Sequence, residues 1–134
     1  MATRLSFDTS FLIDLQREQT RSRGEGPAHA FLRLHVDALL CVSTVALAEF
    51  AEGFASPDHP LVAMVRESYE LLPVDAEVAL AYARLARRLR SEGRLVGSND
   101  LWIAATSVTH GLALVADNAG HFERVPGLRL LKYR

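Results

Sequence analysis

The sequence predicts an α/β sandwich built on a mostly parallel sheet. Two observations predict it. Short apolar runs alternate with longer segments of helical apolar spacing along the whole chain. Acidic or small polar residues stand at the borders between the two kinds of segment, where strands hand over to helices. No internal repeat, low-complexity tract or interdomain linker interrupts the 134 residues, so residues 1–134 are read as a single domain.

Arg4 to Phe7 reads as a short buried strand ending at Asp8. Thr9 or Ser10 is placed to cap a helix from about Phe11 to Arg17. Glu18 to Pro27 is polar and glycine-containing and reads as a loop. Ala28 to Val36 is helical, Leu39 to Val42 a second buried strand, and Ser43 the cap of the next helix. Gly53 to Pro60 breaks the chain. Leu61 to Leu71 has helical spacing and leads to a strand at Leu72 to Val74. Asp75 caps a long helix, Ala76 to Ser91, whose apolar stripe is Val78, Tyr82, Leu85 and Leu89. Ser98 or Asn99 caps a further helix through Thr109, which His110-Gly111 ends. Leu112 to Val115 and Leu128 to Leu131 are the last strands, the second following a Pro126-Gly127 turn.

Composition narrows the function. An apolar fraction of 49% with 23% charged residues is ordinary for a globular domain, and no apolar run approaches the length of a membrane span. The single Cys41 cannot form an internal disulfide, and Met1 to Leu5 has no signal-peptide layout, so a reducing, cytoplasmic setting is expected. A net charge of −1 gives no global attraction to nucleic acid, so any such role rests on local basic surface. Neither a Walker A loop nor a Gly-x-Gly-x-x-Gly or Gly-x-Ser-x-Gly motif occurs.

The informative residues are four acidic stations: Asp8, Glu49, Asp100 and Asp117-Asn118. Each lies among apolar residues, where a lone carboxylate is costly unless something neutralises it. In a parallel sheet, ligands bind beyond the carboxyl ends of the strands, and that is where these segments lead. Clustered carboxylates suit Mg²⁺ or Mn²⁺, hard ions that prefer oxygen ligands. Such an ion keeps the acids ionised, activates water and stabilises charge on an attacked phosphate, which fits phosphodiester hydrolysis.

Four segments in order resemble PIN-domain ribonucleases, and among them the VapC toxins of bacterial toxin–antitoxin pairs. They are Phe7-Asp8-Thr9-Ser10, Ser43 to Glu49, Gly97 to Ala105, and Leu114 to Asn118 with His121 to Leu128. The resemblance covers nearly the whole chain. It implies a PIN-like three-layer sandwich with a central sheet of four or five strands flanked by helices. It also implies an Mg²⁺- or Mn²⁺-dependent endoribonuclease acting on structured RNA, with tRNA favoured. Asp8, Glu49 and Asp100 would be its catalytic, metal-holding acids. A VapB-type antitoxin and a toxin homodimer are the implied partners. At the fourth station the family register falls on Asn118, while a carboxylate is the better ligand for a hard cation, so Asp117 is favoured with Asn118 as its competitor.

Other readings stand beside these. Arg21 and Arg23, on the first polar loop, and Arg87 and Arg88, on the long helix, are candidate RNA-backbone contacts, although charged runs are commonly solvated helix faces. His121 is a candidate base but is read as structural, Asp14 as solvent-facing, and Trp102 as core or interface. The alternative function is a catalytically idle PIN-like module that binds RNA or protein. A phosphatase of the haloacid-dehalogenase kind is disfavoured because the required second Asp is Ser10.

Overall fold

The computed structural model describes residues 3–21, 25–117 and 120–134. In chain order these form β1 (Arg4–Phe7), α1 (Thr9–Thr20), α2 (Pro27–Leu34), β2 (Leu39–Ser43), α3 (Thr44–Glu52), α4 (Pro60–Ser68), β3 (Glu70–Leu72), α5 (Ala76–Ser91), α6 (Ser98–His110), β4 (Ala113–Ala116), a 3-10 turn at Phe122–Arg124, and β5 (Leu130–Lys132).

One five-stranded sheet carries the fold, in the order β3-β2-β1-β4-β5. Every adjacent pair is parallel. This is the predicted α/β class, with five strands flanked by helices. The first strand becomes the central one: Leu5 lies beside Leu40 of β2 and Ala113 of β4. The chain builds outward through β2 and β3, then returns to the other side of β1 for β4 and β5. That reversal opens a crevice at the carboxyl ends of β1 and β4, the usual ligand position in open parallel sheets.

The inner strands are covered on both faces, so β4 is apolar throughout and β1 buries the small Ser6 between Leu5 and Phe7. Leu114, Val115 and Ala116 have no exposed surface, and neither has Phe7. An aromatic cluster lies directly behind the crevice. Phe7 and Phe11 are 4.5 Å apart by ring centroid, Phe31 meets both edge-on, and Tyr133 closes on Phe11 at 5.0 Å.

Several boundaries differ from the sequence expectation, each for a local reason. Helix α1 starts at Thr9, with Asp8 in the capping position, and continues to Thr20. Its last turn carries Glu18, whose carboxylate accepts from the amides of Ala28 and His29 at 2.9 Å each. The supposed loop residue therefore supplies the cap of α2. Strand β3 covers Glu70–Leu72, two residues earlier than expected; Pro73 has no N–H to give to a ladder. Helix α6 is capped by Gly97 rather than by Ser98 or Asn99. The caps at Ser43 and Asp75 are as expected, accepting from Ala46 and Val78 at 3.0 Å. Gly111 ends α6 in the left-handed conformation at φ 66°, which only glycine adopts at no steric cost.

The aromatic cluster makes a direct stability prediction. Phe11→Ala should lose about 3–5 kcal/mol, as for other fully buried aromatics. Urea denaturation should show this as a lower midpoint at an unchanged slope.

Candidate functional site

Asp8 follows β1 without a break: its amide donates to the Val115 carbonyl of β4 at 2.9 Å. Its side chain makes no helix-capping hydrogen bond, although the residue occupies the N-cap position of α1. The carboxylate instead accepts from the Ser10 hydroxyl at 3.0 Å. Only 6% of Asp8 is exposed. Burial pushes its carboxyl up to about 6; the charges of Asp100 and Glu49 push the same way, against the Ser10 hydroxyl and the Thr9 amide.

Glu49 reaches the same end of the sheet from α3. Thr9 donates its hydroxyl to Oε1 at 2.6 Å, and Asn99 donates its amide to Oε2 at 3.1 Å. Thr9 and Ser10, expected to cap α1, are therefore spent on the two acids. Asp100 lies in the first turn of α6. Its pKa is raised chiefly by burial, with Glu49 and Asp117 adding, while His121 opposes. His121 Nε2 stands 2.7 Å from Asp100 Oδ2. Sequence reading placed His121 as structural; it belongs to the site as the partner of Asp100. Thr9 and Asn99 were missed as site residues, and the only signal for them was their position next to Asp8 and Asp100.

Asp117 follows β4, within electrostatic reach of Asp100. Its carboxylate is held by the Arg134 guanidinium at 3.1 Å. The same guanidinium holds Asp14 of α1 at 3.1 Å, and Asp14 also accepts from the Tyr133 hydroxyl. Asp14 is thus tied into the fold rather than solvent-facing. Asn118 lies outside the described residues, and so does Arg23.

All of the sequence-predicted acids that are described gather around this crevice: Asp8 feels Glu49 and Asp100, and Asp100 feels Glu49 and Asp117. Their oxygen donors are of the kind a hard divalent cation takes. Among the described residues, however, no group of three or more His, Cys, Asp or Glu side chains is arranged to hold a metal as it stands. Each of three acids has a partner of its own: Glu49 is engaged by Thr9 and Asn99, Asp100 by His121, and Asp117 by Arg134.

The basic candidates are elsewhere. Arg87 and Arg88 are exposed on α5, where Arg88 pairs with Glu92 at 3.0 Å. Arg21, past the end of α1, borders a cavity with Asp14 and Arg134. Trp102 stacks on Tyr82 at 3.8 Å and joins α6 to α5, an interior role.

A parallel sheet with acids gathered at its carboxyl edge defines a class, and comparison with known proteins specifies it. Residues 6–128 match the PIN domain model. A Ribonuclease VapC2 of Haemophilus influenzae is 32% identical over 95 residues, covering 67% of this chain and 72% of the relative. A tRNA(fMet)-specific endonuclease VapC of Salmonella typhimurium is 30% identical over 112 residues, covering 78% and 83%. The fold overlays that of VapBC2 from Rickettsia felis, solved with a promoter DNA fragment, at a TM-score of 0.84 and 21% identity, covering 98% of this chain and 100% of that one. The chain belongs to the PIN-domain family, among the VapC ribonucleases.

The burial of Asp8 predicts an inverted pH dependence. Its pKa in the fold lies above its ordinary 3.8, so the native state binds the proton more tightly. Stability should fall as pH rises from about 4 to about 6 and stay lower above that. The difference is about 3 kcal/mol at 1.36 kcal/mol per pH decade. Asp8→Asn keeps an acceptor for Ser10 without the charge. In EDTA it should melt above wild type at pH 7, and the gap should shrink steadily down to pH 4. A pH-independent gap would exclude this origin.

Proposed function

We propose that the protein is a metal-dependent endoribonuclease that cleaves structured RNA, with tRNA favoured, at the crevice between β1 and β4. The observation that carries this reading is the buried Asp8 carboxylate, paired with no cation among the described residues and set in the field of Glu49 and Asp100. A fold keeps so costly a charge where a ligand compensates it. Asp8, Glu49 and Asp100 would hold Mg²⁺ or Mn²⁺. That ion, when bound, supplies a water activated for in-line attack and a counter-charge for the phosphate.

The chain's own residues prepare the site. Thr9 and Asn99 grip opposite oxygens of Glu49 with neutral donors, orienting the carboxylate while leaving its charge intact. Ser10 does the same for Asp8. His121, on Asp100, is placed to exchange a proton at Nε2 near the reacting phosphate. The name of the Salmonella relative supports tRNA as the substrate. Solved neighbours are VapBC complexes from Rickettsia felis and Salmonella typhimurium and a toxin–antitoxin complex from Klebsiella pneumoniae, which supports a VapB-type antitoxin as partner and a toxin role; the cytoplasm is the proposed setting. No helix among the described residues is long and apolar enough to cross a membrane. A homodimer completes the proposal.

Purified protein should cut a tRNA transcript with Mg²⁺ or Mn²⁺ and lose at least 100-fold in rate as Asp8→Asn, in the range of removing a key electrostatic group. Mn²⁺ should raise the melting temperature of wild type and leave that of Asp8→Asn unchanged. The occupied acids Asp100 and Asp117 favour one rival, the idle RNA-binding module. RNA binding without cleavage or any Mn²⁺ response would establish it.

A further inference from the structure

Arg17 of α1 is exposed and, among the described residues, has no side-chain partner. It lines two adjoining cavities. One, of about 260 Å³, lies between α1 and α3 and is bordered by Ile13, Gln16, Arg17, Glu49, Phe50 and Phe54. The other, of about 350 Å³, shares Arg17 with the first and is bordered by Arg21 and Arg134. Thr9, Ile13 and Arg17 follow one face of α1 at a spacing of four residues, and Arg17 lies about 12 Å along the axis from Thr9. A groove therefore leads from the Glu49 carboxylate, over an apolar floor, to a cation.

The acids around the second cavity do not compete for that cation. Asp14 is bonded to Arg134, Glu18 to His29 and the α2 amides, and Glu25 to Arg33. Like Arg17, Arg21 has no side-chain partner among the described residues. An anionic occupant gains a charge-assisted contact there without breaking one. A nucleic-acid strand fits better than an acidic peptide. It alone has a reason to begin at the metal-holding acids, and its sugars and bases suit a floor made of Ile13, Phe50 and Phe54.

We propose that the α1–α3 groove carries the RNA strand flanking the cut bond, with Arg17 gripping a backbone phosphate and Arg21 extending the track. This rests on the ribonuclease reading. Arg17→Gln should raise KM for tRNA at least fivefold with kcat within twofold, and Arg17→Lys should recover most of the loss. In an Asp8→Asn background, where binding is read without cleavage, Arg17→Gln should weaken tRNA affinity and make the slope of log Kd against log salt shallower by about 0.7, one phosphate contact on a single strand. Arg66→Gln, an exposed arginine on α4, should match wild type in every measurement. The groove assignment is overturned if Arg17→Gln equals its parent in KM and tRNA affinity while wild type cleaves. It is also overturned if the loss appears only with poly-glutamate, which would make the groove a peptide site. If wild type neither binds nor cuts RNA, the ribonuclease reading itself falls, and the groove assignment with it.

Discussion

The burial of one carboxylate at the end of the central strand is the constraint on which the rest of the structure turns. Asp8 is continuous with β1, hydrogen-bonded through its amide to β4, and almost closed to water. Among the described residues no cation pairs with it; its donors are the Ser10 hydroxyl and the Thr9 amide. A position like this is stable only because strong apolar packing lies immediately behind it. Phe7 and Phe11 flank Asp8 in sequence, are wholly buried, and pack against Phe31 and Tyr133. The cluster offsets a local cost that folding alone would remove, which is how functional sites are commonly maintained.

Sheet topology explains why acids so far apart in sequence meet. Because β1 is central and the strand order reverses beside it, Asp8 and Asp117 emerge from neighbouring strands on the same edge. Glu49 arrives on the helix after β2, and Asp100 on the helix before β4. The partners these acids have taken are graded in charge. Glu49 has neutral donors, Asp100 has a histidine that is charged only when protonated, and Asp117 has a permanent guanidinium. On the metal-site proposal, Glu49 would give up the weakest electrostatic partner and Asp117 the strongest.

Much of this was legible in the sequence, and the exceptions share a cause. Strand β1, the Ser43 and Asp75 caps, the extent of α5 and the acid at each border follow from local patterns of apolar spacing and capping residues. The cap of α1 did not follow, because Thr9 and Ser10 are good capping residues by type. Only the tertiary approach of Glu49 and the turn of Asp8 redirect their hydroxyls. The end of α1 is obscured similarly: Glu18 to Thr20 looks like loop by polarity, yet Glu18 has a long-range task at the start of α2. Asp14 was misjudged for the same reason, since its partners Tyr133 and Arg134 lie at the far end of the sequence. Patterns within a few residues were readable; side-chain assignments made across the fold were not.

The fourth station illustrates how such an assignment changes chemistry. One oxygen of Asp117 is taken by Arg134, and Arg134 is itself fixed by Asp14. Asp14 is in turn fixed by Tyr133, whose ring packs on Phe11 and whose amide donates to Ala116 at 3.1 Å. This chain of contacts ties the tail after β5 to the end of β4 and to α1. Releasing Asp117 would therefore leave a guanidinium facing one acid instead of two, at the rim of the crevice. Within the fold, Asp117 is also part of a clamp that joins the end of β4 to the tail after β5. Asp8, Glu49 and Asp100 differ from it in this respect: their own partners, Ser10, Thr9, Asn99 and His121, lie outside the clamp that holds the tail.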